Sequence, residues 1–162
     1  MQIKGQKFTL YTDIMDDLKI AIAGVGTVGN GVLILLKKNR KKIEKKIGRK
    51  IKITAIASRK SRDFKGLKKT KIFSNANSFL NFSDYDLLLE LIGGSDGIAK
   101  EIIIDALKKK KHVITANKAL LSKHGNYILE LAHSQNVLVG YEASVAGGIP
   151  IITVINNFLV SN

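Results

Sequence analysis

A glycine-rich loop is the first part of this sequence whose residue types and spacing could do chemistry. Residues 24–29 read GVGTVG, follow an apolar run at 18–23 and precede a stretch with helical spacing. In a Gly-x-Gly-x-x-Gly loop the first glycine permits a tight turn, the second lets the backbone approach a diphosphate, and the third lets helix and strand pack closely. Free amide hydrogens at the helix start attract phosphate. The loop therefore predicts dinucleotide binding, with a glycine-rich turn in an ordinary α/β domain as the alternative.

The end of the next predicted strand carries positive charge where a carboxylate commonly bonds the ribose 2′-hydroxyl. Here the chain reads Ser58-Arg59-Lys60, and no acidic residue follows until Asp63. A carboxylate would repel a 2′-phosphate, whereas a guanidinium forms paired hydrogen bonds with it. These residues predict a preference for NADP(H) over NAD(H), with a solvated basic loop as the alternative.

Predicted strands alternate with predicted helices, and this alternation is typical of a parallel sheet covered on both faces. The predicted strands cover residues 18–23, 51–57, 86–92, 112–115 and 137–141. The predicted helices run from 28 to 47, 76 to 82, 98 to 111 and 126 to 134, and residues 58–71 are expected to be a polar connection. We therefore expect an α/β fold with a Rossmann-type, doubly wound parallel sheet in a single domain.

The excess of positive charge lies in one segment. The 162 residues carry a formal charge of +14, and residues 37–71 hold 17 of the 27 basic and 2 of the 13 acidic side chains. Paired lysines at 37–46 fall on one face of the predicted helix, which favours a solvated face over an anion-binding surface. The sequence has no tryptophan and no aromatic residues interleaved with the basic ones, as base stacking would need. No nucleic-acid partner is predicted.

Other functional classes are excluded by composition. The chain has no cysteine, so it has no disulfide framework and no cysteine-based metal or redox site. It has no run of about 18 apolar residues, as a spanning helix needs, and its first residues lack the apolar core of a signal peptide. His112, His124 and His133 lack metal-ligand spacing. We expect a cytoplasmic protein with no membrane partner.

The two ends of the chain differ in character. Residues 1–17 show no firm periodicity and are expected to be an N-terminal extension, with Met15 as a conceivable alternative start. Residues 149–160 read IPIITVINNFLV, and so apolar a segment is expected to pack on something. It either closes the sheet of its own domain or leads into a second domain. We expect a dinucleotide-binding domain at 18–150, and residues 151–162 are expected to begin a connection to a second domain.

Three further stretches carry a family resemblance: ELIGG at 90–94, HVITANKALL at 112–121 and YEASVAGGIP at 141–150. Together with the loop at 24–29, they closely resemble the nucleotide-binding portion of homoserine dehydrogenase. That family interconverts L-homoserine and L-aspartate 4-semialdehyde, on the route to threonine, methionine and isoleucine. The resemblance implies an NAD(P)-dependent oxidoreductase that needs a C-terminal domain or partner chain for turnover, and a homodimer at full length. A stand-alone dinucleotide-binding module or an inactive remnant is the alternative.

The resemblance also implies roles for individual residues. Lys118 would lie between nicotinamide and substrate, where its ammonium could move the hydroxyl proton or stabilise developing negative charge. Gly93, Gly94 and Thr115 would lie along the nicotinamide. The complete set of expected coenzyme-binding residues is Gly24, Val25, Gly26, Thr27, Val28, Gly29, Arg59, Lys60, Ile92, Gly93, Gly94, Thr115 and Lys118.

Residues 142–149 resemble the monovalent-cation loop of the same family. The Glu142 carboxylate and the carbonyl oxygens of Val145, Gly147 and Ile149 would then be hard ligands suited to Na⁺. The alternative is a glutamate in a glycine-rich turn near the domain hinge.

Overall fold

The computed structural model describes residues 16–59, 64, 67 and 69–145. Six strands run over β1 Leu18–Ala23, β2 Ile51–Ala57, β3 Lys71–Phe73, β4 Leu87–Glu90, β5 His112–Thr115 and β6 Val139–Gly140. The α-helices are α1 Thr27–Ile47, α2 Ile98–Lys108, α3 Lys118–Ser134 and the single turn α4 Glu142–Val145, and a 3₁₀ helix covers Ala76–Asn81.

The strands form one sheet in the order β3-β2-β1-β4-β5-β6, and every neighbouring pair is parallel. The strand order reverses between β1 and β4, which are hydrogen-bonded neighbours although α1, β2, β3 and the 3₁₀ helix separate them in sequence. Ligands of open α/β sheets bind at the carboxyl ends of the strands beside such a reversal. The prediction of a doubly wound, Rossmann-type α/β fold is confirmed.

The alternation of side chains along β1 explains why helices cover both faces of the sheet. Ile20 and Ile22 join the apolar cluster that α1 completes, whereas Ala21 and Ala23 face the cluster that contains α2 and α3. The small alanines leave room for those two helices to approach the strand. Ile22 is fully buried, so truncating it to alanine would cost about 2–5 kcal/mol of stability.

Helix α1 covers only part of its face of the sheet. A cavity of about 460 Å³ opens between α1 and the first half of β2, lined by Leu33, Ile34 and Ile51 among others. Ile34 itself is more than half exposed. This cavity lies beside the amino-terminal end of β2 and is separate from the carboxyl ends of the strands. No helix within the described ranges is long and apolar enough to cross a membrane.

Several predicted boundaries are wrong, each for a local reason. The polar connection predicted at 58–71 ends in the edge strand β3, whose three residues are too few for a periodic pattern. Helix α3 begins at Lys118 and not at 126, because it continues through Gly125, a poor helix former. The strands predicted at 86–92 and 137–141 shorten to 87–90 and 139–140. The apolar segment 149–160 and residues 1–15 lie outside the described residues.

Candidate functional site

The glycine loop between β1 and α1 is packed against the end of β4. Gly24 has a φ of +99°, and a Cβ on it would lie 2.6 Å from the carbonyl carbon and oxygen of Leu91. Both the backbone conformation and the close approach therefore require glycine here. The Gly24 amide donates to the Ala57 carbonyl at 3.0 Å, which also ties the loop to the end of β2.

The other two glycines of the loop have opposite surroundings. A Cβ on Gly29 would lie 2.2 Å from the carbonyl oxygen of Gly24, so there is no room for a side chain between α1 and the loop. A Cβ on Gly26 would meet nothing within 4 Å. The loop is thus closed toward the protein at Gly24 and Gly29 and open toward solvent at Gly26. This is the arrangement by which a backbone can approach a diphosphate.

The start of α1 lies in this open space. Gly26 is its N-cap, no described side chain caps it, and its first turn contains no acidic residue. The amides of a helix's first turn lack partners within the helix and carry partial positive charge. Val25 is buried, while Thr27 and Val28 are exposed beside those amides. The backbone amides of residues 25–28 can therefore donate hydrogen bonds to an anion.

The end of β2 lies beside the loop because Ala57 pairs with Ala23 in the sheet register. Ser58 is buried, and its amide donates to the Phe73 carbonyl of β3 at 2.9 Å. The next side chain, Arg59, is exposed. Lys60 lies outside the described residues. The position at which a ribose-binding carboxylate is expected thus carries a solvent-facing arginine.

The end of β4 contains a buried carboxylate that the sequence analysis did not single out. Glu90 has no exposed surface. Its Oε1 accepts from the amides of Ile92 at 2.7 Å and Gly93 at 3.2 Å, and its Oε2 accepts from the Thr115 hydroxyl at 2.6 Å. Glu90 therefore holds the turn that contains Ile92 and Gly93 and joins it to the end of β5.

The hydrogen bonds continue from Thr115 into α3. The Thr115 hydroxyl accepts from the Asn117 amide at 3.0 Å. The Asn117 side chain donates to the Gly94 carbonyl at 2.7 Å and accepts from the Leu120 amide at 3.1 Å, which makes it the N-cap of α3. Lys118, the first residue of that helix, is exposed. Thr115 itself is fully buried, so its side chain faces Glu90 and not solvent.

A second polar cluster, which the sequence analysis also missed, lies after the Gly93-Gly94 turn. Asp96 contacts Lys123 Nζ at 2.7 Å and His124 Nε2 at 2.9 Å, and the Ser95 hydroxyl donates to it at 2.8 Å. The bonds from Lys123, His124 and Ser95 hold the pKa of this carboxyl well below its usual range. The cluster joins the turn after β4 to the middle of α3.

The expected cation-binding residues are described in part. Glu142 and Val145 lie in α4, the Glu142 side chain half-buried and Val145 exposed. The Ser144 hydroxyl of the same turn donates to the Thr115 carbonyl at 2.6 Å, so α4 is fastened to the end of β5. Gly147 and Ile149 lie outside the described residues. Within the described ranges no three His, Cys, Asp or Glu side chains group as a metal site.

The structure brings most of the predicted residues to one edge of the sheet. The ends of β1, β2, β4 and β5 place there the loop at 24–29, Arg59, Ile92, Gly93, Gly94, Thr115 and Lys118. Two of the missed residues had a signal in the sequence. Glu90 is a charged residue in an otherwise apolar strand, and Asn117 is a favoured N-cap residue immediately before a helix. Ser144 and the Asp96 cluster had none.

A parallel sheet of this strand order, with a glycine loop open at its second glycine, defines a dinucleotide-binding protein of the Rossmann class. The family model for the homoserine dehydrogenase NAD-binding domain matches residues 24–142. The chain belongs to that family, whose description indicates a nicotinamide dinucleotide as coenzyme.

Individual relatives agree with this assignment. The chain is 39% identical over 149 residues to the homoserine dehydrogenase of Neisseria gonorrhoeae, covering 91% of this chain and 34% of that protein. The crystal structure of a homoserine dehydrogenase from Thiobacillus denitrificans aligns with a TM-score of 0.78 at 36% identity, over 91% of this chain and 34% of the other. That of Staphylococcus aureus at pH 7.5 aligns with a TM-score of 0.72 at 38% identity, over 83% and 34%. The chain thus spans about a third of the length of these relatives.

Proposed function

We propose that this chain is the coenzyme-binding part of a homoserine dehydrogenase, an oxidoreductase that interconverts L-homoserine and L-aspartate 4-semialdehyde. The observation that carries this proposal is the loop that is closed at Gly24 and Gly29 and open at Gly26, at the strand-order reversal of a chain of this family. Such an enzyme acts on the route to threonine, methionine and isoleucine.

The start of α1 is the proposed site of the coenzyme diphosphate. Residues 25–28 offer main-chain amides, and Gly26 leaves the space in front of them free of a side chain. The absence of an acidic residue from the first turn keeps the positive end of the helix dipole available to an anion. The close contacts of Gly24 with Leu91 and of Gly29 with Gly24 hold the backbone of this loop in place.

Arg59 and Lys60 support NADP(H) as the preferred coenzyme, with NAD(H) also possible. Arg59 is exposed two residues beyond Ala57, whose carbonyl accepts the Gly24 amide, so it follows the strand end that is tied to the glycine loop. A guanidinium there forms charge-assisted, paired hydrogen bonds with a 2′-phosphate. Lys60 adds a second positive charge in the sequence.

The ends of β4 and β5 are the proposed location of the nicotinamide and the substrate. The coenzyme supplies the hydride chemistry when it is bound. Ile92, Gly93 and Gly94 form the turn beside the proposed nicotinamide position. Thr115 supports that turn through its hydrogen bond to Glu90. Lys118, exposed at the start of α3, is the proposed catalytic residue. Its ammonium would donate a proton to the substrate carbonyl oxygen during reduction and stabilise the negative charge that develops there.

A Na⁺ ion is proposed beside α4, with a structural role. The donor set would combine the Glu142 carboxylate with the carbonyl oxygens of Val145, Gly147 and Ile149. One carboxylate with neutral oxygens suits a singly charged ion. The final carbonyls of a single helical turn lack partners within the helix, which leaves the Val145 carbonyl available.

Further proposals concern the protein beyond this site. We propose that residues 18–150 form the coenzyme domain, that 1–17 extend from it, and that 151–162 connect it to a catalytic and dimerisation domain in the rest of the protein. Hydride transfer requires donor and acceptor to be held in register. This chain by itself would then bind the coenzyme with little turnover, and the whole enzyme would be a cytoplasmic homodimer.

Coenzyme titration together with an activity assay tests the proposal. The full-length protein is titrated with NADPH and with NADH, followed by coenzyme fluorescence, and is then assayed for NADPH oxidation with L-aspartate 4-semialdehyde. We expect saturable binding of both coenzymes, tighter for NADPH, and turnover of the semialdehyde. Failure to bind either coenzyme would refute the proposal. Binding without turnover would instead favour a stand-alone dinucleotide-binding module.

A further inference from the structure

Glu90 is a buried charged group that the proposed chemistry does not use directly. Among the described residues it is the one charged side chain that is fully buried, and the same part of the chain gives it no ion-pair partner. Its three hydrogen-bond donors are two backbone amides and one hydroxyl. A carboxylate is costly to bury in this way, and the neighbouring positions of β4 are leucine. Its presence therefore calls for a role that an apolar residue could not take.

The hydrogen bonds from Glu90 lead to the residue before Lys118. The Thr115 hydroxyl has a single proton, and it donates this proton to Glu90 Oε2 at 2.6 Å. Its lone pair is thereby turned toward the Asn117 amide, which donates to it at 3.0 Å. The Asn117 side chain then fixes the first turn of α3 by accepting from the Leu120 amide, and it binds the turn after β4 by donating to the Gly94 carbonyl. Lys118, the proposed catalytic residue, is the first residue of the helix that these hydrogen bonds fix.

We propose that Glu90 is a positioning residue for Lys118, acting through the Thr115 hydroxyl and Asn117 to fix the start of α3 relative to the Gly93-Gly94 turn. This inference rests on the proposed function, in which Lys118 is catalytic and that turn adjoins the nicotinamide.

The relay requires an acceptor at both ends of the Glu90 side chain. In Glu90→Gln the side-chain amide has two possible orientations. In the first, its oxygen still accepts from the Ile92 and Gly93 amides, and its NH₂ faces the Thr115 hydroxyl. The Thr115 hydroxyl has two lone pairs, so it then accepts from both this NH₂ and the Asn117 amide, and its own proton loses its partner. If the amide is reversed, its NH₂ faces two backbone amides. Each orientation leaves at least one donor without its acceptor, although the side chain keeps its size.

A double-mutant cycle in the full-length enzyme tests the inference. Glu90→Gln should lower kcat about tenfold or more, because a small misplacement of a catalytic group is costly, while the Kd for coenzyme changes by no more than about twofold. Lys118→Met should lower kcat by about 10²–10⁴. In the Lys118→Met background, Glu90→Gln should cause no further loss, because its effect passes through the lysine.

A matched control separates positioning from general loosening of the sheet. Thr54 is a buried threonine of β2 whose hydroxyl reaches the Ile20 carbonyl at 3.4 Å, away from the site. Thr54→Val should leave kcat unchanged in both backgrounds. If Glu90→Gln fails to fold, Thr115→Val cuts the same relay at its centre and should show the same dependence on Lys118.

Three outcomes would overturn the inference. These are an unchanged kcat in Glu90→Gln, an equal loss of kcat with and without Lys118, and full activity of Lys118→Met. In all three the unmodified enzyme still binds coenzyme and reduces the semialdehyde. Lack of coenzyme binding or turnover by the unmodified enzyme would instead mark the failure of the proposed function, and the inference would fall with it.

Discussion

A Cβ on Gly29 would lie 2.2 Å from the carbonyl oxygen of Gly24. This contact joins the first turn of α1 to the residue that follows β1, and no side chain fits between them. The third glycine of the loop is therefore a packing requirement, while the second glycine, Gly26, has free space in front of it. Packing and ligand access are divided between different residues of one short motif.

The glycine contact predicts a contrast between two alanine substitutions in α1. Gly29→Ala should destabilise the protein by about 1–3 kcal/mol through overpacking and should weaken coenzyme binding, because the loop must move. Gly31→Ala meets nothing within 4 Å and should stabilise α1 by up to about 1 kcal/mol. Thermal unfolding and coenzyme titration of both variants check this. Equal behaviour of the two would contradict the packing argument.

Arg59 predicts the coenzyme preference. Arg59→Ala should weaken NADPH binding by about tenfold or more, since a hydrogen bond to a charged group contributes about 1.5–3 kcal/mol. NADH binding should change little, because that coenzyme has no 2′-phosphate. Lys45→Ala, at an exposed position in the last turn of α1, serves as the control for loss of one positive charge. Fluorescence titrations with both coenzymes measure the ratio, and a parallel loss for NADH would argue against a 2′-phosphate contact.

Asn117 predicts a coupling between a helix cap and activity. Asn117→Ala removes the cap of α3 and the bond to Gly94, and should cost about 1 kcal/mol of stability together with a fall in kcat. Asn75 caps the 3₁₀ helix at 76–81 in the same way, through the Asn77 amide at 2.9 Å. Asn75→Ala should lower the melting temperature comparably and leave kcat unchanged. Matching losses of activity would show that the cap of α3 has no special relation to the site.

The Asp96 cluster predicts a pH dependence of stability. Its bonds to Lys123, His124 and Ser95 hold the folded-state pKa of Asp96 below the ordinary value of 3.8. A carboxyl with a depressed pKa contributes stability that is complete above about pH 4 and is lost as the pH falls further. The melting temperature of wild type should exceed that of Asp96→Asn at neutral pH, by an amount that shrinks below about pH 4.

The size of this effect should depend on salt, because Asp96 and Lys123 are about half exposed and exposed charges are screened. Repeating the melting curves at high ionic strength provides the control, and the difference between the two proteins should narrow there. A difference that stays constant from pH 7 to pH 2.5 would mean that a group other than Asp96 is responsible.

Much of the fold follows from local sequence. The apolar runs of β1 and β2 are strong because side chains on both faces of these strands are buried, and the helical spacing of α2 is strong because the helix buries one face. The bounds of β1 and β2 and the start of α2 agree with prediction. The edge strands β3 and β6 have only three and two residues, too few for such a pattern, and each pairs with a neighbour on one side only. Their existence depends on that pairing and not on their own residues.

The sequence by itself determined the glycine loop, the basic end of β2 and the family to which the chain belongs, because these depend on residue types at fixed short spacing. Only the tertiary structure decided that Glu90 and Thr115 act together. They lie 25 residues apart, and the parallel register of β4 and β5 sets them side by side. Hydrogen bonds form between neighbours in space, and a one-residue slip of that register would have pointed the two side chains to opposite faces.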